Sequence, residues 1–174
     1  RRSQGLSNLE HKLTPIIASI SLPSGFRLLA DNRGSAYHRM IERMAVKKKL
    51  TVGDLEEYGA GYTMEGSWEP YVIFPVTEWD NVVYYQGRTY CAPIDGKTKK
   101  FPSKFECPLG SRYWVYNIDE VRVRGVRTVI VVESVLNVIS LEKKIRAVGA
   151  QDEVAAACVF KHHVSHAQLA KLMS

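Results

Sequence analysis

The chain has 174 residues, 45% of them apolar and 24% charged, and a formal net charge of +6. That length and apolar content suffice for a core in one ordinary domain or two small ones. No apolar run approaches the roughly 20 residues needed to cross a membrane, and no signal peptide opens the chain.

In chain order the pattern alternates between helix and strand, without repeats or low-complexity tracts. Residues 6–20 have helical character, weakened by Pro15, and "LPSGF" (22–26) is a turn or linker. Ser35 to Lys47 is an amphipathic helix with Tyr37, Met40, Ile41 and Met44 at helical spacing. Thr51 with Asp54 forms a capping-box start for the short helix Val52–Tyr58, which Gly59 ends. Two strands follow, Tyr71–Val76 and Val82–Arg88, joined by "TEWDN", a hairpin-length loop. A polar, lysine-rich loop (Ala92 to Phe105) precedes a short strand, "RYWVYN", and a short helix, Ile118–Arg124.

Thr128–Val132 is apolar and β-branched, which predicts a strand buried on both faces of a parallel sheet. It stops at Glu133, at the carboxyl end of the strand, where open α/β sheets place their ligand sites. Ser134 is positioned to cap a helix with Val135, Leu136, Val138, Ile139 and Leu141 on its apolar face. Burying a Glu at that edge is costly unless it is paired, protonated or metal-bound; the plainer reading is a solvated carboxylate. Ala155–Phe160 is a further buried strand, and Ser165 with Gln168 caps a last helix. The elements predict an α/β (α+β) fold.

Charge is segregated along the chain. Residues 1–50 carry 10 basic and 3 acidic residues, 51–95 carry 1 and 8, and 96–127 carry 8 and 3. A basic face for a polyanion follows, with "MAVKKKL" and "GKTKKFPSKF" as its parts. No GxxxxGK[ST], GxGxxG or GxSxG occurs, so nucleotide-loop and hydrolase-elbow chemistry lacks support. Cys91, Cys107 and Cys158 lack metal-ligand spacing and read as free thiols of a reducing compartment, which predicts a cytoplasmic protein. In "KHHVSH", His162, His163 and His166 form a cluster for which hydrogen-bonded or solvated imidazoles outweigh a metal site, because the helix start at Ser165 breaks the helical spacing.

The order of these pieces resembles the DnaG-type primases, particularly phage versions. The resemblance rests on "LTVGDLEEYGAGY", "YVIFPVTEWDNVVYYQGRTY", the lysine loop, "RYWVYNIDEVRVRGVRTVIVVESVLNVISL" and "VAAACVFKHHVSHAQLAKL", and spans residues 22–174. Residues 1–21, outside that span, are expected to be a leader or linker helix; the resemblance implies a small mixed, basic amino-terminal subdomain with a β-hairpin at 22–117 and a partial Toprim parallel-sheet subdomain at 118–174. It also implies metal-dependent synthesis of short RNA primers from ribonucleoside triphosphates on single-stranded DNA, with Mg²⁺ or Mn²⁺ and a replicative helicase as partner. Glu133 matches the Toprim glutamate, a metal-site or general acid/base carboxylate. Arg88 in "QGR", Lys104 in "SKF" and Asn117 in "YN" match positions near template or nucleotide, and Lys99 and Lys100 of the same lysine loop join them. Tyr84, Tyr85, Tyr90 and Phe105 are candidates to stack on single-stranded bases, although hairpin packing accounts for at least two of the four.

Some positions depart from the family pattern. Ser134 stands where the family has glycine and Asn137 where it frequently has Asp, no Asp-x-Asp occurs, and the family's amino-terminal zinc module has no counterpart. With no initiator Met, the expectation is a piece of a primase or a shortened relative. The alternative is a non-catalytic single-stranded-nucleic-acid-binding or replisome-interaction module on a degenerate Toprim scaffold. A nuclease or topoisomerase is disfavoured by the "QGR" hairpin.

Overall fold

The structure, a computed structural model, describes residues 19–174; nearly all of the helix expected within 6–20 lies outside them. The elements are β1 (Arg27–Leu28), α1 (Ala36–Lys47), α2 (Val52–Glu56), β2 (Gly61–Tyr62), β3 (Tyr71–Glu78), β4 (Asn81–Thr89), β5 (Lys99–Lys100), α3 (Ile118–Arg124), β6 (Thr128–Val132), α4 (Val135–Ala147), β7 (Val154–Cys158) and α5 (His166–Leu172). β1 to β5 form one antiparallel sheet in sequence order, and β6 and β7 form a parallel pair joined through α4.

Local chemistry starts the helices. The Ser35 hydroxyl accepts the His38 N–H at α1, and Thr51 and Asp54 exchange both capping-box bonds at α2. Ser165 and Gln168 do the same at α5. The buried Gln168 amide also donates to the carbonyls of Ser111, Trp114 and Val159, which pins α5 onto the body of the protein. Ser134 occupies the cap position of α4 without a side-chain cap bond. The apolar face of α4 packs with β7, and one cluster runs from Ile41 and Leu55 through Phe74 and Tyr84 to Val138 and Ala156. A continuous core thus joins residues on both sides of position 117.

Four elements differ from expectation. The hairpin turn is only Trp79–Asp80, both left-handed at φ 55° and 61°. A bulky Trp there is unfavourable, and long-range contacts offset it: both turn N–H groups donate to the Asp119 carboxylate, and the Arg122 guanidinium lies 4.7 Å from the Trp79 ring centroid. The lysine loop contains β5, which pairs with β4. "RYWVYN" is a 3-10 turn at Ser111–Tyr113 and then a single bridge from Tyr116 to Cys158, because Tyr116 meets only the end of β7. β6 is not buried on both faces: it has one strand partner among the described residues, and Ile130 and Val131 are each 39% exposed.

The edge of β7 away from β6 is closed by side chains instead of a strand. Glu142 accepts the Ala156 N–H at 2.6 Å, Asn117 donates to the Ala156 carbonyl at 2.9 Å, and Arg124 donates to the Val154 carbonyl. β3 holds Pro75 opposite Tyr85, and its other edge pairs with β2 only at Ile73. Buried carboxylates lock the elements together: Glu78 on β3 is bonded by Arg122 of α3 and Lys171 of α5.

Gln86 on β4 is fully buried, and neither of its amide atoms has a partner among the described residues. Leaving such a group unpaired costs about 1–3 kcal/mol. Gln86→Leu, of similar volume, is expected to raise stability by about 1 kcal/mol, read as a higher urea midpoint at unchanged slope. A lower midpoint would mean that the amide is satisfied after all.

Candidate nucleic-acid interface

One face of β4 points Tyr84, Gln86 and Arg88 inward at alternate positions, a consequence of strand geometry. Gly87 permits close packing on the other face, since a Cβ there would lie 2.9 Å from the Trp68 ring. α1 brings Arg43 and Lys47, one helical turn apart, toward Arg88. With Lys48, Tyr90 and Leu136 they line a cleft of about 350 Å³. Among the described residues none of Arg43, Lys47, Lys48, Arg88 and Lys99 has a carboxylate within ion-pair distance. Elsewhere several cations have close carboxylate partners, as in Lys143–Asp54 at 2.7 Å and Arg146–Glu57 at 2.8 Å. Burial pulls the half-buried Arg88 guanidinium below its ordinary pKa. A partly desolvated cation without a counter-charge favours an anionic ligand, and a guanidinium fork suits phosphate.

Glu133 stands at the carboxyl end of β6, which the present structure makes an edge strand. Lys99 Nζ donates to the Glu133 carbonyl at 3.4 Å, and the carboxylate Oε1 lies 2.7 Å from His162 Nδ1. Burial pushes the adjoining Cys158 thiol up to about 12; the Phe160 N–H and then the charges of Lys99, Glu133 and Arg88 act on it as well. Arg88 and Lys99 are paired across the β4–β5 ladder and Lys99 reaches the Glu133 carbonyl, so the three converge at one end of the parallel pair, beside the cationic cleft. Among the described residues no group of three or more His, Cys, Asp and Glu is placed to hold a metal. A hard cation at Glu133 would have this one carboxylate from the protein and would draw its remaining ligands from phosphate and water; His162 is the imidazole beside it. His163 is exposed, and His166 begins α5.

The other expected residues have different surroundings. Lys100 turns to the outer side of the sheet, where Nζ donates to the Ser67 carbonyl and hydroxyl and lies 4.4 Å from the Trp68 ring centroid. Lys104 is exposed in the turn beside Phe105, which is 97% exposed and the most accessible of the four aromatics. Tyr84 and Tyr85 are buried hairpin packing, while Tyr90 is half-buried at the cleft. Asn117, in a left-handed conformation, anchors the edge of β7. Arg43, individually unexpected, had as its only signal its place one turn before Lys47.

A second carboxylate organises the outer face. Glu106 accepts from Ser103 N–H at 2.7 Å, Trp68 Nε1 at 2.9 Å and Tyr85 hydroxyl at 3.1 Å. Burial alone would push its pKa up, but these bonds outweigh burial and hold it below the usual carboxylate range. A depressed folded-state pKa contributes stability above the unfolded value of about 4.3 and loses it as pH falls through the folded value. Acidification below about pH 4 is therefore expected to loosen the 103–106 turn, read as a shift of the Trp68 indole N–H resonance that Glu106→Gln displays already at pH 7. An indole signal insensitive to both changes would contradict this clamp.

No protein-family model matches the chain, and no curated protein matches it. Among solved structures it is similar to the DnaG primase catalytic domain bound to single-stranded DNA, with 12% identity and a TM-score of 0.62 over 80% of this chain and 52% of that one. The Escherichia coli primase catalytic core gives 11% identity and a TM-score of 0.58 over 80% and 53%. The RNA polymerase domain of Mycobacterium tuberculosis primase DnaG gives 12% and 0.62 over 82% and 56%. The chain thus spans about half the length of these structures. An antiparallel hairpin sheet followed by a parallel β–α–β unit, in this order and at these TM-scores, gives the chain the fold of a DnaG-type primase catalytic core.

Proposed function

We propose that the chain is the template- and phosphate-binding part of a primase catalytic core, acting on single-stranded DNA and ribonucleoside triphosphates. The observation that carries this reading is the convergence of Arg88, Lys99 and Glu133 beside a cleft of unpaired cations. Arg43, Lys47, Lys48 and Arg88 neutralise backbone phosphates. Glu133, matching the Toprim carboxylate, together with substrate phosphates holds Mg²⁺ or Mn²⁺. Bound there, the cation supplies neutralisation of charge on the transferring phosphate. Lys99, tied to the Glu133 carbonyl, fixes the strand end and adds positive charge at the same place. A second reading is a non-catalytic single-strand-binding module; it is favoured by the lack, among the described residues, of a donor set that completes a metal site.

Both readings require the cleft to bind single strands. Fluorescence anisotropy with a labelled oligothymidylate is expected to show affinity that falls steeply with salt. Replacing Arg43, Lys47 and Arg88 together by Ala is expected to lower affinity by about tenfold or more and to flatten the logarithmic salt slope by about 2, at roughly 0.7 per phosphate on a single strand. A salt-independent affinity, or an unchanged slope in the triple variant, counts against the cleft.

A further inference from the structure

Alongside the cationic cleft runs a second groove, of about 520 Å³, between α1 and the Glu69–Pro70 corner, lined by Tyr37, Met40, Glu69, Pro70 and Tyr90. The two share Met40, Tyr90 and Cys91 as walls, so a ligand in one abuts the other. The chemistry of the two differs: the cleft offers cations, whereas the groove offers two phenol rings, a thioether and one carboxylate. The rings of Tyr37 and Tyr90 are perpendicular, with centroids 6.3 Å apart, and one side of Tyr37 is already stacked on Tyr62 at 5.2 Å. This leaves an aromatic corner fixed from behind. The Tyr37 hydroxyl donates to Glu69 Oε1 at 3.0 Å, and the Tyr90 hydroxyl donates to the Glu69 carbonyl. Glu69 is thereby held at the rim by both tyrosines, and its carboxylate retains free acceptor capacity. Neither Glu69 nor the tyrosines contribute to the phosphate contacts proposed above, so that role leaves the arrangement unexplained.

We propose that this groove is a base-reading subsite selective for guanine, seating the base of a nucleotide whose phosphate lies in the cationic cleft. The inference rests on the cleft taking phosphates. Aromatic and thioether walls suit any base, and Glu69 makes the choice. A carboxylate has two acceptors side by side, and guanine alone presents two adjacent donors, N1–H and the N2 amine, on its Watson–Crick edge. Adenine and cytosine set a ring-nitrogen acceptor beside their one amine, and thymine flanks its one N–H with carbonyls; each would face the carboxylate with a repulsive lone pair. The base comes from a single strand or from a free guanine nucleotide, since both present the same edge.

The test uses the full chain and oligothymidylates of about twelve nucleotides, a length within single-strand site sizes, with one central dG, dA or dC, or none. The dG oligonucleotide is expected to bind about tenfold tighter than the others, the scale of one bidentate base contact. Glu69→Gln, which retains the acceptor for Tyr37 but sets an amine against guanine, is expected to abolish that preference and bring the dG oligonucleotide level with the others, while oligothymidylate affinity does not fall, since thymine loses only a repulsive neighbour. Equal affinity for all four oligonucleotides overturns the guanine subsite while the cleft reading stands. If no oligonucleotide binds, the cleft reading fails, and the subsite is read directly by titrating GMP and AMP against the Tyr37 and Tyr90 ring resonances. A GMP preference lost in Glu69→Gln then sustains it, and equal response overturns it. Where oligonucleotides do bind, selective displacement of the dG oligonucleotide by GMP rather than AMP places a free nucleotide in the groove; displacement by neither assigns it to the strand.

Discussion

Glu133→Gln, in a polymerase assembled around this chain, is expected to lower primer synthesis by about a thousandfold, the scale on which a positioned acid–base carboxylate acts. The substitution keeps shape and removes the charge that attracts a divalent cation. Its cost to folding is expected to be small: the carboxylate side chain is 48% exposed and its partner His162 82% exposed, and surface pairs of this kind contribute about 0–1 kcal/mol. Single-stranded DNA affinity is expected to persist, because the cations of the cleft do not depend on Glu133. Three measurements on one variant therefore separate the readings: primer yield on a single-stranded template with Mg²⁺ or Mn²⁺, anisotropy, and thermal midpoint. Normal priming would show that the carboxylate is not at the reacting centre and would favour the binding module. Residues 1–174 alone are expected to make no primers, since a single carboxylate does not complete a metal site; templated products from the purified chain would reveal a metal site elsewhere.

The largest effect on stability is expected at Glu142. This carboxylate is 1% exposed on α4, and it accepts the Ala156 N–H at 2.6 Å and Arg124 Nη1 at 2.7 Å. Glu142→Ala removes the close partner of the largely buried Arg124 guanidinium, which keeps only Glu120 at 3.8 Å and the Val154 carbonyl, and leaves the Ala156 N–H unpaired, a loss of about 3–5 kcal/mol by the rule for a broken buried pair. That is a large share of the about 5–15 kcal/mol by which ordinary domains are stable. The double replacement Glu142→Met with Arg124→Leu is expected to cost less than Glu142→Ala, because no charge is left alone. Urea midpoints of the single and double variants decide this; a double variant worse than the single would show that the pair contributes more than the desolvation it offsets.

What was legible in the sequence and what was not divide along physical lines. α1, α2 and α3 were readable because each is specified within a few residues: Ser35, the Thr51–Asp54 capping box, and an Ile118–Arg124 segment closed by left-handed Gly125. The primase-like order of elements was readable for the same reason. The Trp79–Asp80 turn was not, since Asp119 and Arg122 hold it from 40 residues away. Lys99 and Lys100 are neighbours of one composition and opposite fate, because β5 turns alternate side chains to opposite faces of the sheet. One reaches the Glu133 carbonyl, and the other is held between Ser67 and Trp68. Glu142 read as one more polar position on a helix, and only the edge of β7 gives it a task. The cationic cleft was half legible: charge segregation announced a basic face, but which cations lack partners is decided by tertiary structure.

Pro75 bears on how the molecule behaves at high concentration. Past Ile73 the outer edge of β3 has no strand neighbour among the described residues, and a row of free N–H and C=O groups there is a template for a foreign strand. A proline has no N–H to give, so the row is interrupted midway. The bulge between Val76 and Thr77 bends the last residues of the strand away from a flat pairing register. The chain thus carries its own safeguard against edge-to-edge aggregation, placed on the long strand that would otherwise recruit copies of itself.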